Sequence, residues 1–287
     1  MRIPTIPRPG CATTTAIRTE PGARSDHGPL LGTGAVLFLA SAAATVHWSR
    51  SMTGGMAMPG GWTLSMVWTP MLGETWAGGG ARFVTMWLVM MVAMMLPPLL
   101  PMLARLRGNR LAALAGAGYF SVWALFGAAV YALGSAIARA ELAWPSVARL
   151  APPATGTALL VAGILQLSTW KARQLAVCRA CGAPDTPGVG AAVLHGVRFG
   201  VNCSLCCLGL MAVLLVGGMM NVSVVAAVAV AVALERLGPR PEVMARAIGT
   251  VVIALGALVL LTTAPSPCPA PAPAPARPAP PHGAAAR

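Results

Sequence analysis

Residues Arg82–Arg105, RFVTMWLVMMVAMMLPPLLPMLAR, decide how this chain is built. The stretch is long and apolar enough to cross a bilayer as a helix. It carries six methionines and is interrupted by Pro97, Pro98 and Pro101. At about 100° per residue, Met86, Met90, Met91, Met94 and Met95 share one half of the helical wheel with Trp87. Leu88, Val89, Val92, Ala93 and Leu96 occupy the other half. A helix that only needed to be greasy has no reason to sort thioethers from aliphatics. The sorting predicts an aliphatic face toward lipid and a soft, polarisable face toward neighbouring helices or a ligand.

The composition extends this reading to the whole chain. Only 9% of the 287 residues are charged and 56% are apolar, far from a soluble globular balance. Apolar blocks recur at Leu30–Trp48, Arg82–Arg105, Leu111–Ile137, Thr157–Val177, Cys203–Gly218, Val222–Leu234 and Met244–Thr263. The expected fold is an all-α, polytopic transmembrane helical bundle of about seven spans. Six is the alternative, if the fifth and sixth blocks form one long helix broken at Gly217–Asn221. The spanning domain then covers residues 30–263, preceded by a disordered cytoplasmic segment (1–29) and followed by a Pro/Ala-rich disordered tail (264–287) of polyproline character.

Cations orient the bundle. Arg105, Arg107 and Arg110 follow the second block, Lys171, Arg173, Arg179 and Arg198 surround the fourth-to-fifth connection, and Arg236, Arg240 and Arg246 follow the sixth. With seven spans all of these loops lie on the cytoplasmic side with the N-terminus. The net charge of +13 is that of orienting loops against anionic headgroups, and no aromatic-interleaved basic surface points to nucleic acid. The lipid bilayer is the expected partner, together with a soluble or membrane metal-handling protein. Nothing in the sequence sets an oligomeric state.

The outer segment 49–81 contains Met52, Met56 and Met58 between glycines and prolines, with Met66 and Met71 further on. Methionine usually seeks burial, so a water-exposed Met-x3-Met-x-Met suggests chemistry. Thioethers are neutral, soft donors that favour Cu(I) and do not protonate at acidic pH. The competing reading makes them interfacial anchors beside Trp62, Trp68 and Trp76. On the second span, Met90 and Met94 point to a metal path, against the bland alternative of gap-filling in a packed helix. Pro97 and Pro98 also deprive the Ala93 and Met94 carbonyls of their helical partners.

Five of the seven cysteines fall in two Cys-x2-Cys pairs, Cys178/Cys181 and Cys203/Cys206, the second extended by Cys207. Such spacing suits a thiolate metal site, with copper favoured, zinc the alternative and His195 a further candidate ligand. Cytoplasmic ends of the fourth and fifth spans would keep these thiols reduced. Cys203, Cys206 and Cys207 share one helical face, and Lys171 and Arg179 nearby favour thiolates. Small apolar cysteines that only pack helices are the competing reading. Glu235 is expected to end the sixth span in an interfacial ion pair or helix-end contact beside Arg236. Paired carboxylates, a phosphate loop, a Ser-His-Asp order and H-E-x-x-H are all missing, so no enzyme is expected.

MWLVMMVAMMLPPLLPM, Lys171 with Cys178-Arg179 and Pro184, NCSLCCLGLM, GGMMN and ALERLGP together resemble a bacterial family of integral membrane proteins. That family is a domain of unknown function described as predicted metal-binding, and the resemblance runs from about Phe83 to Gly256. It implies metal handling, with copper as the metal. The chain departs from the family pattern at three places. Phe199-Gly200 stands where His-Gly is common, Leu208 where tryptophan is usual, and Cys181 appears while a cysteine near Gln174 is missing. A non-enzymatic membrane protein binding Cu(I) is the leading expectation. A metal-free scaffold subunit and a thiol–disulfide membrane protein are the alternatives.

Overall fold

The computed structural model describes residues 28–51, 54–59, 61–70, 73–106, 108–180 and 188–263. The expected tails and the candidate ligands Met52 and Cys181 lie outside these residues, as does Met71. The elements are α1 (Gly28–Ser51), a hairpin of β1 (Gly55–Met58) and β2 (Trp62–Ser65), α2 (Trp76–Leu103), α3 (Asn109–Ala143), the one-turn α4 (Pro145–Ala148), α5 (Ala151–Leu167), α6 (Thr169–Ala180), α7 (Val189–Gly217), α8 (Val222–Leu237) and α9 (Pro241–Thr263). A 3-10 turn at Met66–Trp68 links the hairpin toward α2.

Five of these helices, α1, α2, α3, α7 and α9, are long and apolar enough to cross a membrane. α5 and α8 coincide with two further apolar blocks but have only 17 and 16 residues. The fifth and sixth blocks are two helices. Gly218 turns between them at φ 93°, in the region open to glycine, and the Asn221 side chain caps the first turn of α8.

The expected fourth span is corrected. Thr157–Val177 is not one helix, because the chain leaves helical geometry at Ser168, whose ψ is 151°. The Ser168 hydroxyl donates to the Leu165 carbonyl and accepts from the Lys171 N–H, closing one helix and capping the next. Beyond the break the sequence TWKARQLAVCRA is too polar to continue a span and forms α6. The fifth block is also extended, since α7 begins at Val189, well before Cys203.

The all-α expectation needs one addition, the antiparallel hairpin that the outer methionines build. Met56 pairs with Leu64 and Met58 with Trp62. Met58 packs in a small core with Leu64, Ala138 and Ala148, and the Trp62 Nε1–H donates to the Ala148 carbonyl at 2.9 Å. Met58 is therefore structural, while Met56 remains exposed.

α2 is the axis of the bundle. Met86, Met90, Met91, Met94, Met95 and Met102 are all buried, while Leu88, Val89, Val92 and Ala93 are half-exposed, as the sorted wheel predicts. Leu96 departs from it and is buried. α2 continues through Pro97, Pro98 and Pro101 to Leu103, held by the burial of Pro98, Leu99, Met102 and Leu103. Stacked rings of Trp68, Phe83, Trp87 and Phe126 line its outer half, and the Trp87 Nε1–H donates to the Trp123 carbonyl.

Small residues bring the remaining helices together. α3 and α7 run side by side in the same direction, with Gly118 against Val193, Gly196 against Ala115 and Gly200 against Tyr119 and Val122. α5 and α9 run antiparallel, with Gly163 against Gly249 and Gly156 against Gly256. Such contacts let backbones approach where no larger side chain fits. The outward surfaces are apolar, with Leu125 73% and Leu261 77% exposed.

A Cβ at Gly196 would run into the Ala115 carbonyl, whereas one at Gly190 meets nothing. Gly196→Val is expected to lower stability by about 1–3 kcal/mol or more, the cost of overpacking, and Gly190→Ala to leave it nearly unchanged. Thermal unfolding of the detergent-solubilised chain compares the two; equal melting would contradict the close approach of α3 and α7.

Candidate metal centre

Where α6 crosses the middle of α7 and the end of α8, five polar side chains are buried around a group of thiols. On α7 the i, i+3, i+4 spacing turns Cys203, Cys206 and Cys207 to one face, and all three are buried. On α6, Lys171, Leu175 and Cys178 follow the same kind of spacing and form its buried face. Cys178 and Leu175 pack on Cys206. The thiols thus form a string, Cys178 against Cys206 and then Cys207 and Cys203 along one face of α7. Cys203 and Cys207 belong to the same continuous core as the α2 methionines.

Charge enters this apolar place in two ways. Lys171, 2% exposed, donates from Nζ to Glu235 Oε2 at 2.6 Å and to the Cys206 carbonyl at 2.7 Å. Glu235, 1% exposed, accepts at Oε1 from Gln166 at 2.5 Å. Burial pushes the Lys171 ammonium down, but the Cys206 sulfur and the Glu235 carboxylate facing it outweigh burial and hold it above the usual lysine range. The second charge is Arg236. Its guanidinium donates to Cys203 Sγ at 3.3 Å and lies over the Phe199 ring at 5.3 Å. Tyr119 donates its hydroxyl to the same sulfur at 3.1 Å. Cys203 thus accepts two donors in a buried site, an arrangement that favours a sulfur bearing negative charge.

The structure treats the expected ligands unequally. Cys178, Cys203, Cys206 and Cys207 are brought together. The expected position of the second pair at the end of its span is corrected, since Cys203 lies within α7 because that helix starts early. His195 is on α7 two turns before Cys203, about 12 Å along the axis, too far to share an ion with it. Its Nε2 is buried without a hydrogen-bond partner. Met90 and Met94 are core side chains of α2, and Met56 and Met58 belong to the hairpin at the opposite end. Among the described residues, no three His, Cys, Asp or Glu side chains converge as a ready metal cage. The soft sulfurs instead offer neighbouring pairs, a donor set that suits Cu(I).

Glu235 does form an ion pair, but a buried one across the bundle with Lys171 where an interfacial one was expected, and Arg236 is left to Cys203. Tyr119 and Gln166 were not legible as site residues. The available signal was the presence of Lys171 and Glu235 inside apolar sequence, since ionisable residues there are costly without partners.

Removing one member of the buried ion pair tests what holds α6 in place. Lys171→Met strands the Glu235 carboxylate and is expected to cost roughly 3–5 kcal/mol, whereas the double variant Lys171→Met/Glu235→Leu recovers most of it. Chemical unfolding in detergent measures both; a double variant as damaged as the single one would show that the pair is not what matters.

No curated protein and no solved structure matches the chain. A protein family described as PpoB2, copper chaperone, matches residues 84–259, from the Met-lined α2 through the thiols to α9. The chain belongs to that copper chaperone family.

Proposed function

We propose that this chain is a multi-pass protein of the bacterial inner membrane that binds Cu(I) and hands it to a copper-requiring or copper-carrying protein, without catalysing a reaction. The observation that carries this reading is the buried string of four thiols, one of which accepts from both Arg236 and Tyr119. Pairs of thiolates suit a soft ion of low coordination number better than Zn(II), which takes four ligands in structural sites.

The apolar exterior fits a lipid surround, with α1, α2, α3, α7 and α9 crossing and α5 and α8 completing seven passes. The contacts of α1 with α2, α3 with α7 and α5 with α9 give alternating directions that agree with this count. α6 then lies along the cytoplasmic face as a cover over the thiols. Met56 on the hairpin meets the ion first, and the buried methionines of α2 supply neutral donors between hairpin and thiols. Thioethers suit this part of the route because they carry no charge into the apolar core.

Copper content of the purified, reconstituted protein under reducing conditions tests the reading. Wild type is expected to retain Cu(I) near one ion per chain, and Cys203→Ser/Cys206→Ser/Cys207→Ser to lose it. Copper well below one ion per chain in wild type would sink the reading. Full retention in the triple variant would move the site to the methionines.

A further inference from the structure

Arg236 is only 7% exposed, yet among the described residues no carboxylate pairs with it. Its sequence neighbour Glu235 is occupied by Lys171 and Gln166 through its two oxygens. The other groups around Arg236 are the Phe199 ring, the Tyr119 hydroxyl, the thiols of Cys203, Cys207 and Cys178 and, on α6, Arg179, which is turned to the Arg236 and Gly238 carbonyls. A buried guanidinium is costly unless an anion offsets it. The group placed to do so is the sulfur of Cys203.

We propose that Arg236 is the counter-cation of the loaded site and sets its preference for a monovalent ion. This inference rests on the thiolate reading of the site. Lys171 and Glu235 cancel each other and leave Arg236 as the uncompensated positive charge beside the thiols. Two thiolates binding Cu(I) form a complex with one net negative charge, which Arg236 neutralises. The same two thiolates binding Zn(II) form a neutral complex, and Arg236 is then left buried without an anion. Zn(II) needs a further thiolate to restore balance, and the string-like arrangement does not converge on one. Discrimination thus comes from charge balance in a medium of low dielectric constant as well as from the softness of sulfur.

The test compares Cu(I) and Zn(II) affinities of the full chain in detergent under anaerobic, reducing conditions, by competition with chromophoric chelators for each ion. Arg236→Gln is expected to weaken Cu(I) binding by roughly a hundredfold while Zn(II) binding holds or strengthens, so that the preference collapses. Arg236→Lys retains the charge and is expected to keep the preference. Should Arg236→Gln fail to fold, Arg236→Met, which fills the same space without a polar group, is measured instead and is expected to lose the preference in the same way. An unchanged ratio in folded Arg236→Gln or Arg236→Met overturns the proposal, as does loss of preference in Arg236→Lys. Failure of the underlying reading is distinguishable: Cys203→Ser/Cys206→Ser/Cys207→Ser then binds Cu(I) as tightly as wild type.

Discussion

The ion pair between Lys171 and Glu235 fastens α6 across α7 and α8, and the inner end of the molecule depends on it. Both partners are almost wholly buried, and each makes a second hydrogen bond, to the Cys206 carbonyl and from Gln166 respectively. Desolvating two charges is costly, and a well-packed apolar pair could be as stable. What the ionic pair adds is register. Lys171 can reach both Glu235 on α8 and the carbonyl of Cys206 on α7 only if α6 lies where it does, which brings Cys178 onto Cys206. One polar contact thereby places a fourth thiol beside the three that α7 supplies.

The same constraint explains why the break at Ser168 matters. A continuous fourth span would have carried Lys171 and Cys178 away along a single axis. Ending α5 at Leu167 and capping α6 with the Ser168 hydroxyl turns the chain across the bundle. α6 then presents Lys171, Leu175 and Cys178 inward and Arg173 and Arg179 outward. Its amphipathic spacing was readable in the sequence, but it was hidden inside a longer apolar block whose total length satisfied the spanning criterion.

Much of the architecture was legible for simple reasons. The seven apolar blocks are all helical, the fourth as two helices broken at Ser168. The methionine sorting on α2 predicted its buried face almost residue by residue, since helical periodicity survives tertiary packing. The face shared by Cys203, Cys206 and Cys207 follows from the same geometry. What remained illegible were contacts between elements far apart in sequence. Tyr119 and Cys203 meet only because Gly196 and Gly200 let α3 and α7 approach, and nothing local to Tyr119 announces it. Glu235 and Arg236 are adjacent and opposite in charge, and Glu235 was expected in an interfacial ion pair or helix-end contact, whereas its ion pair is buried. On a helix, however, consecutive residues diverge by about 100°, and each found its own partner across the bundle.

That divergence has a chemical consequence. Had Glu235 paired with Arg236, the charges would have cancelled within one turn of α8 and left Lys171 facing the thiols with a flexible, strongly hydrated ammonium. Instead the carboxylate offsets the lysine, and the group that donates to Cys203 is a guanidinium. Guanidinium is planar, weakly hydrated and able to rest on the Phe199 ring, so it tolerates burial better than an ammonium does. Its charge is also permanent, whereas a buried lysine could shed its proton to relieve the imbalance. A site whose accepted ion is chosen by charge needs a counter-cation that cannot titrate, and the arrangement at the end of α8 supplies one.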